Sequence, residues 1–288
     1  MRTLDTNNIT QAVIASFSQT RDPRLLEIMT CMVQHLHAFA REVQLTEAEW
    51  FKGIEFLTRC GHMTDAKRQE FILLSDVLGL SMLTVAMNND KPAGCTEATV
   101  FGPFHVEGAP PVDKGGDMAH GARGTPCIVR GAVRSLDGHP LAGAVMDVWQ
   151  SDEEGLYDVQ RPELKHPQAR GVTRTDEEGR FHFKSILAVP YAIPHDGPVG
   201  RMLQATGRHP WRPAHLHFRV QANGHETLIT HVFRNHSEYL DSDAVFGVRK
   251  SLVCDWVPQD DGSFLLEFDF VLNPRGPTEG SAVAPAGS

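Results

Sequence analysis

Of the 18 prolines in this 288-residue chain, Pro23 alone precedes residue 91, and glycine stands there only as Gly53, Gly61 and Gly79. Long helices need such a stretch, because proline removes a backbone donor and glycine costs conformational entropy. Asp22-Pro23 places a capping acid before proline at the first helical position, and the apolar-periodic run behind it predicts a helix to about Glu42. Thr46-Glu47-Ala48-Glu49 reads as a capping box that opens a second helix, reaching about Cys60 before Gly61. A third is expected from near Asp65 to Met87, ended by Asn88-Asn89-Asp90.

From Lys91 to Pro126 glycine and proline crowd the sequence, and beyond it the texture becomes short strands joined by turns. Cys127–Arg134 and Gly143–Gln150 alternate around S-L-D-G-H-P. Gly171–Thr175 and Arg180–Lys184 flank T-D-E-E-G as a hairpin, and further strands are expected at His215–Gln221, Thr227–Phe233 and Ser263–Val271. The expected class is therefore α+β. A helical domain (1–90) is followed by a Gly/Pro-rich linker that lines the site (91–126). An antiparallel β-sandwich then covers 127–273, and a disordered tail covers 274–288.

A formal charge of −9 and a pI near 5.9 exclude the basic stripe of a nucleic-acid groove. Cys31, Cys60, Cys95, Cys127 and Cys254 are odd in number, lack C-x-x-C spacing and follow no signal peptide. They are expected to be buried, reduced thiols of a cytoplasmic protein. Phe71 to Met87 is strongly apolar but carries Asp76 and falls short of the ~20 residues of a membrane span. It is read as a buried helix.

Chemistry concentrates in W-R-P-A-H-L-H-F (Trp211–Phe218). Side chains alternate faces along a strand, so His215 and His217 project to one side and can reach one metal ion. Tyr157 and Tyr191, two of only three tyrosines, stand upstream in loop-like settings. Imidazole suits iron, copper, zinc or nickel, whereas phenolate suits a trivalent metal. Two tyrosinates and two histidines would neutralise most of the charge on Fe(III). Taken singly, each has an ordinary reading as a satisfied histidine or a packed tyrosine. No H-E-x-x-H is present for a zinc hydrolase.

In their order and spacing, D-E-E-G-L-Y-D (Asp152–Asp158), V-P-Y-A-I-P-H-D-G-P-V-G (Val189–Gly200) and W-R-P-A-H-L-H-F resemble the intradiol ring-cleavage dioxygenases. The likeness covers about Glu97 to Val253, and the preceding helical segment fits the same family. It implies that Tyr157, Tyr191, His215 and His217 hold one non-haem Fe(III) per subunit, with a solvent hydroxide as fifth ligand. A catechol would bind as a dianion, the hydroxide taking one proton and Tyr191, the releasable ligand, the other. Tyr157 would stay bound. Arg212 would stabilise developing negative charge without changing its own protonation, and Pro213 would fix how the strand is entered. His231 stands where the catechol enzymes carry a glutamine behind the ligands. It can donate a similar hydrogen bond but titrates near neutrality, and the alternative is a strand histidine with no role.

T-E-A-T-V-F-G-P-F-H-V (Thr96–Val106) resembles the hydroxyquinol 1,2-dioxygenases more than the catechol enzymes. Val100, Phe101, Gly102, Pro103 and Phe104 match pocket-lining positions of that subgroup, Ile193 and Pro194 match two more, and Leu73 and Asp76 match helix residues facing the substrate. A carboxylate in an apolar helix is costly unless partnered. The third hydroxyl of hydroxyquinol (benzene-1,2,4-triol) would partner Asp76; otherwise Asp76 faces solvent or an arginine. The expected reaction cleaves hydroxyquinol with O2 to 3-hydroxy-cis,cis-muconate, the enol form of maleylacetate. Catechol or a chlorocatechol is the alternative substrate. A non-enzymatic alternative rests on G-A-V-R-S-L-D-G-H-P-L-A-G-A-V-M-D-V-W with T-D-E-E-G-R-F-H-F, which resembles transthyretin-like sandwich modules; those lack the tyrosines and H-x-H. An extradiol site would use two histidines and a carboxylate on Fe(II), against which the paired tyrosine loops argue. The resemblance further implies a homodimer joined through the helical segments, with a lipid-like molecule held there or an ordinary dimer core.

Overall fold

The computed structural model describes residues 3–65 and 68–276. The chain forms two compact units that part between Arg59 and Cys60, whereas the sequence expectation ran the helical domain to residue 90. The first unit holds α1 (Ile9–Ala15), α2 (Pro23–Glu42) and most of α3 (Glu47–Met63). Both local stop-start signals act as their chemistry requires. Asp22 Oδ1 accepts from the Arg24 and Leu25 amides at 2.8 and 3.2 Å. Thr46 and Glu49 close a reciprocal box, with Glu49 N to Thr46 Oγ1 at 3.3 Å and Thr46 N to Glu49 Oε2 at 2.9 Å. Leu25, Ile28, Met32, Leu36 and Phe39 of α2, and Val43 just past its end, are all exposed. Their spacing of three and four residues places them in one apolar stripe.

In the second unit the long helix expected from Asp65 to Met87 is two helices, α4 (Glu70–Val77) and α5 (Leu80–Asn88). They bend by 77° at Gly79, whose φ of +75° is left-handed backbone that only glycine adopts freely. Burial is correspondingly one-sided. Glu70, Leu73, Asp76 and Val77 are buried, while Phe71, Ile72, Leu78, Leu80, Leu83 and Met87 are exposed, so the expectation of a buried helix fails for half of its apolar residues. Among the described residues no single helix is long and apolar enough to cross a membrane.

The strands are β1 (Pro126–Ser135), β2 (Val145–Trp149), β3 (Arg170–Arg174), β4 (Arg180–Ile186), β5 (Tyr191–Ala192), β6 (Trp211–Arg212), β7 (His215–Gln221), β8 (Leu228–Arg234), β9 (Val253–Cys254), β10 (Trp256–Pro258), β11 (Phe264–Glu267) and β12 (Phe270–Leu272), with α6 (Pro198–Ala205) between β5 and β6. One sheet runs β10-β11-β1-β12 with β4 also on β1, and a second runs β3-β2-β7-β8-β9. Val129, Val133, Phe181, Phe183, Leu266 and Phe270 of the first join Met146, Val148, Leu216, Phe218, Val220 and Val232 of the second in one core, so this is a sandwich.

Four expectations are corrected in detail. The sandwich is not wholly antiparallel: β1 pairs parallel with β11 and β12, and β8 with β9. The T-D-E-E-G segment is a tight turn, with Asp176 Oδ1 accepting from the Arg180 amide at 2.7 Å, yet β3 pairs with β2 and β4 with β1. It therefore crosses between sheets instead of closing a hairpin. The strand expected over Ser263–Val271 breaks at Phe268-Asp269, where the Phe268 carbonyl lies 1.8 Å from where a Cβ would stand on Gly131. Cys31 is exposed and Cys95 and Cys254 are half-buried, so only Cys60 and Cys127 are as buried as expected. Tail residues 277–288 lie outside the described residues.

Candidate active site

Strand β7 places His215 and His217 on one face, and its neighbours set Trp149 of β2 and His231 of β8 directly opposite His217. His215 Nδ1 lies 2.7 Å from the Pro213 carbonyl. A carbonyl only accepts, so Nδ1 carries the proton and Nε2 presents a lone pair. His217 Nε2 stands 3.2 Å from that atom and 2.9 Å from Tyr157 Oη. The Tyr157 ring meets that of Tyr191 edge-on, with centroids 5.4 Å apart, and the Tyr191 hydroxyl accepts from Arg212 Nη1 at 3.3 Å. The two histidine nitrogens and two phenol oxygens singled out in the sequence thus face one small volume.

His231 is not aimed at that volume in the same way. Its Nε2 meets His217 Nδ1 at 2.8 Å and its Nδ1 meets Thr99 Oγ1 at 3.0 Å. If His217 offers its Nε2 lone pair, its Nδ1–H donates to His231 and His231 Nδ1–H donates to Thr99. The chain fixes ring and tautomer from behind. The ligand atoms of His215, His217 and His231 lie within 4.8 Å of one another, but His231 is already occupied by His217.

Does this donor set fit a metal? Burial first, then the neighbouring positive charges of Arg212 and other histidines, holds all three imidazoles well below their ordinary pKa of 6.5. They are neutral, the form that ligates. Burial, then Tyr191, pushes Tyr157 well above the ordinary phenol value. A buried phenolate there requires a cation beside it. Two neutral nitrogens and two phenols, all buried, are therefore matched to a hard, highly charged ion.

Arg212 is buried and held by Asp243, with Nε to Oδ1 at 3.0 Å and Nη2 to Oδ2 at 3.3 Å. Burial opposes its charge, but Asp243 and Tyr191 outweigh that and leave its pKa raised. Asp243 also accepts from the Gly247 amide at 2.9 Å, and a Cβ on Gly247 would stand 3.0 Å from Arg212 Nη2. A second buried pair, Arg170 with Asp158, anchors the loop beside Tyr157, and Arg170 Nη1 donates to the Phe104 carbonyl at 3.1 Å. The sequence reading missed Asp243, Arg170 and Asp158. A buried arginine demands an acid, but nothing in D-S-D-A says which aspartate supplies it.

Phe104 stacks on Tyr157, with centroids 4.3 Å apart, and Trp149 stacks on His217 at 4.8 Å. Gly102 faces His217 so closely that a Cβ would lie 3.0 Å from its Cε1. Val100, Leu73 and Ile193 are buried, Pro194 is half-buried, and Phe101 and Pro103 are exposed. Asp76 is buried, and burial raises its carboxyl pKa against the lowering effects of a Ser81 hydrogen bond and the charge of Arg212, with Asp243 adding to the rise. It therefore sits within the field of the Arg212–Asp243 pair and not in solvent. At the ends of α4, Glu70 Oε1 accepts from the Val199 amide at 3.0 Å and the Val77 carbonyl accepts from Arg208 Nη1 at 2.6 Å. These bonds tie the helix to the segments after Tyr191.

Two families match the chain, "Catechol dioxygenase N terminus" over residues 22–96 and "Dioxygenase" over residues 100–274. The chain belongs to the intradiol ring-cleavage dioxygenases and is an enzyme. Over 274 residues it is 64% identical to the 6-chlorohydroxyquinol 1,2-dioxygenase of Cupriavidus pinatubonensis, covering 95% of this chain and 99% of that protein. It is 53% identical to the hydroxyquinol 1,2-dioxygenase of Nocardioides simplex, covering 89% and 87%. The crystal structure of hydroxyquinol 1,2-dioxygenase from Pseudomonas putida DLL-E4 superposes with a TM-score of 0.88 at 44% identity, covering 94% and 99%.

The depressed histidines set the pH response of the metal-free protein. In the unfolded chain they take up protons near 6.5, and in the fold they do so only well below it. The unfolded state then binds more protons, so stability is expected to fall as pH drops below about 6.5. The raised Asp76 acts in the opposite sense but is one group against three. Urea unfolding of metal-free protein between pH 7.5 and 5 checks this; stability that is flat or rising toward pH 5 contradicts it.

Proposed function

We propose that this enzyme is a non-haem ferric dioxygenase that opens hydroxyquinol between its adjacent hydroxylated carbons to 3-hydroxy-cis,cis-muconate. Tyr157, Tyr191, His215 and His217 would hold one iron per subunit. The observation that carries this reading is the pair of Nε2 atoms 3.2 Å apart, one with its proton fixed on the far nitrogen, beside two buried phenols. Bound there, a ferric ion would withdraw electron density from a chelated catecholate and expose a ring carbon to dioxygen.

The chain's own residues divide the remaining work. Tyr157 is fully buried, stacked on Phe104 and hydrogen-bonded to His217, which suits a ligand that stays. Tyr191 lies on a two-residue strand opposite Arg212, which suits a ligand that leaves and takes a substrate proton. Arg212 keeps a permanent charge beside that oxygen and stabilises negative charge on the reacting ring. His231 orients His217. Asp76 would accept a hydrogen bond from the third ring hydroxyl, with Leu73, Val100, Phe104 and Ile193 walling the ring and Phe101, Gly102, Pro103 and Pro194 completing the rim. A second reading, 6-chlorohydroxyquinol, has the 64% identical Cupriavidus relative in its favour and uses the same Asp76 contact.

The exposed apolar stripe of α2 is the surface we assign to a homodimer. A lipid-like molecule on the same stripe is the alternative cover. The free thiols of Cys31, Cys95, Cys127 and Cys254 favour a reducing, cytoplasmic setting.

The direct test is oxygen uptake by iron-loaded protein with hydroxyquinol and with catechol, corrected for spontaneous oxidation of the triol; uptake with neither overturns the reading. Tyr157→Phe should remove most of the visible phenolate-to-iron absorption and lower kcat at least about a hundredfold, and a coloured, active variant would reject Tyr157 as a ligand. Asp76→Ala should lower kcat/KM on hydroxyquinol by about ten- to a hundredfold, the worth of a hydrogen bond to a charged group, and on catechol far less. Equal losses would remove Asp76 from substrate selection. Sedimentation should give about twice the 31.8 kDa chain mass, and Phe39→Glu in the α2 stripe should reduce it to one; an unchanged dimer would place the interface elsewhere.

A further inference from the structure

We propose that His105 is a positioning residue for the metal-binding centre. Its hydrogen bond to Asp147 fixes the register of the segment Val100–Glu107 across β2 and β7, and so sets Gly102 against His217 and Phe104 against Tyr157. The inference rests on the ligand set proposed above.

Antiparallel pairing puts Asp147 opposite Arg219 and Trp149 opposite His217. Residues two apart in a strand share a face, so these four side chains form a square patch. The segment crosses the patch from one corner to the other. Gly102 (φ +79°) lies against the Cε1 edge of His217, and Phe101 and His105 flank Trp149 at 5.6 and 4.8 Å. His105 Nε2–H donates to Asp147 Oδ2 at 2.7 Å, and Glu107 accepts from Arg219 at 2.6 and 3.0 Å.

Backbone pairing does not set this register. Among the described residues, 100–107 belong to no strand and make no backbone bond to β2 or β7, so side chains hold the segment on the patch. Arg170 holds the Phe104 carbonyl, and the two tethers to the β2–β7 patch itself are unequal. The Glu107 side chain is 75% exposed, and solvent-exposed ion pairs contribute little. His105 and Asp147 are 6% and 4% exposed, where a charge-assisted bond is strong. Asp147 keeps Arg219 Nη2 as a second partner at 3.0 Å, so replacing His105 strands no buried charge.

The contacts at the other end leave little slack. His217 has Trp149 on one face and Gly102 against its Cε1 edge, while Phe104 covers Tyr157. A slipped segment presses on one donor ring and uncovers the other. The reacting groups are then displaced even though no ligand has changed.

Two substitutions separate the tether from mere packing. His105→Phe keeps a ring against Phe101 and Trp149 but cannot donate; His105→Gln loses the ring and can still reach Asp147 with its amide. In iron-loaded enzyme, H105F is expected to keep its iron content and thermal midpoint, to shift the visible absorption maximum, and to lose about tenfold in kcat with a smaller change in KM. H105Q is expected to return both to near wild type. Asp147→Asn, which weakens the bond at constant volume, should shift the band in the same direction as H105F and serves in its place if that variant does not fold. Glu107→Gln should change nothing. Wild-type absorption and kcat in both H105F and D147N would overturn the proposal, as would H105Q behaving like H105F. Wild-type protein that binds iron without any phenolate band would instead reject the ligand set, and the proposal with it.

Discussion

Strand β7 runs between β2 and β8, so each of its side chains has neighbours at the same level on both sides. For His217 these are Trp149 and His231. The first stacks on its ring and the second holds its far nitrogen. A histidine at a sheet edge would rotate among rotamers and hydrogen-bond water. Here strand pairing and the two neighbours hold the ring, so in the proposed reading the cost of ordering this donor has been met in folding. Burial makes a lone phenolate unfavourable, so ionising either tyrosine there calls for a cation beside it.

The buried Arg212–Asp243 pair is the second constraint. Removing one partner of such a pair costs about 3–5 kcal/mol, because it leaves the other charge buried and alone. Asp243 accepts from two side-chain nitrogens of Arg212 and from the Val245 and Gly247 amides. The guanidinium is therefore held by a loop that is itself folded around the carboxylate. Arg208 extends the connection, bonding the Val77 and Ala244 carbonyls together. Charge placement at the site and the position of α4 depend on the same loop.

What the sequence reveals and what it hides follow from how far apart the partners lie. The caps at Asp22 and Thr46 are complete within four residues, and they are legible. The H-x-H pair is legible because strand alternation puts both rings on one face whatever the sheet. The break at Gly79 is not, since an apolar run reads as continuous until one glycine takes a left-handed φ. Alternation likewise marks faces but not partners, so the T-D-E-E-G turn suggested a hairpin whose strands in fact enter different sheets. The residues missed, Asp243, Arg170 and Asp158, act across 31 and 12 positions. The His105–Asp147 tether spans 42, and no local pattern encodes such a pairing.

The bend at Gly79 leaves α4 as an eight-residue rod, held at its first residue by the Val199 amide and at its last by Arg208. Leu73 stands mid-helix and Asp76 one residue before its end, both buried, whereas the proposed iron donors stand on β5, β7 and the loop at Tyr157. In the proposed reading, part of the ring contact thus comes from a helix that carries none of the donors and is tied to the segments after Tyr191 by two hydrogen bonds. Mutational drift on the rod can explore new ring substituents while the donors stay fixed. Such an arrangement would let the fit to a ring substituent change without touching the groups proposed to hold the iron.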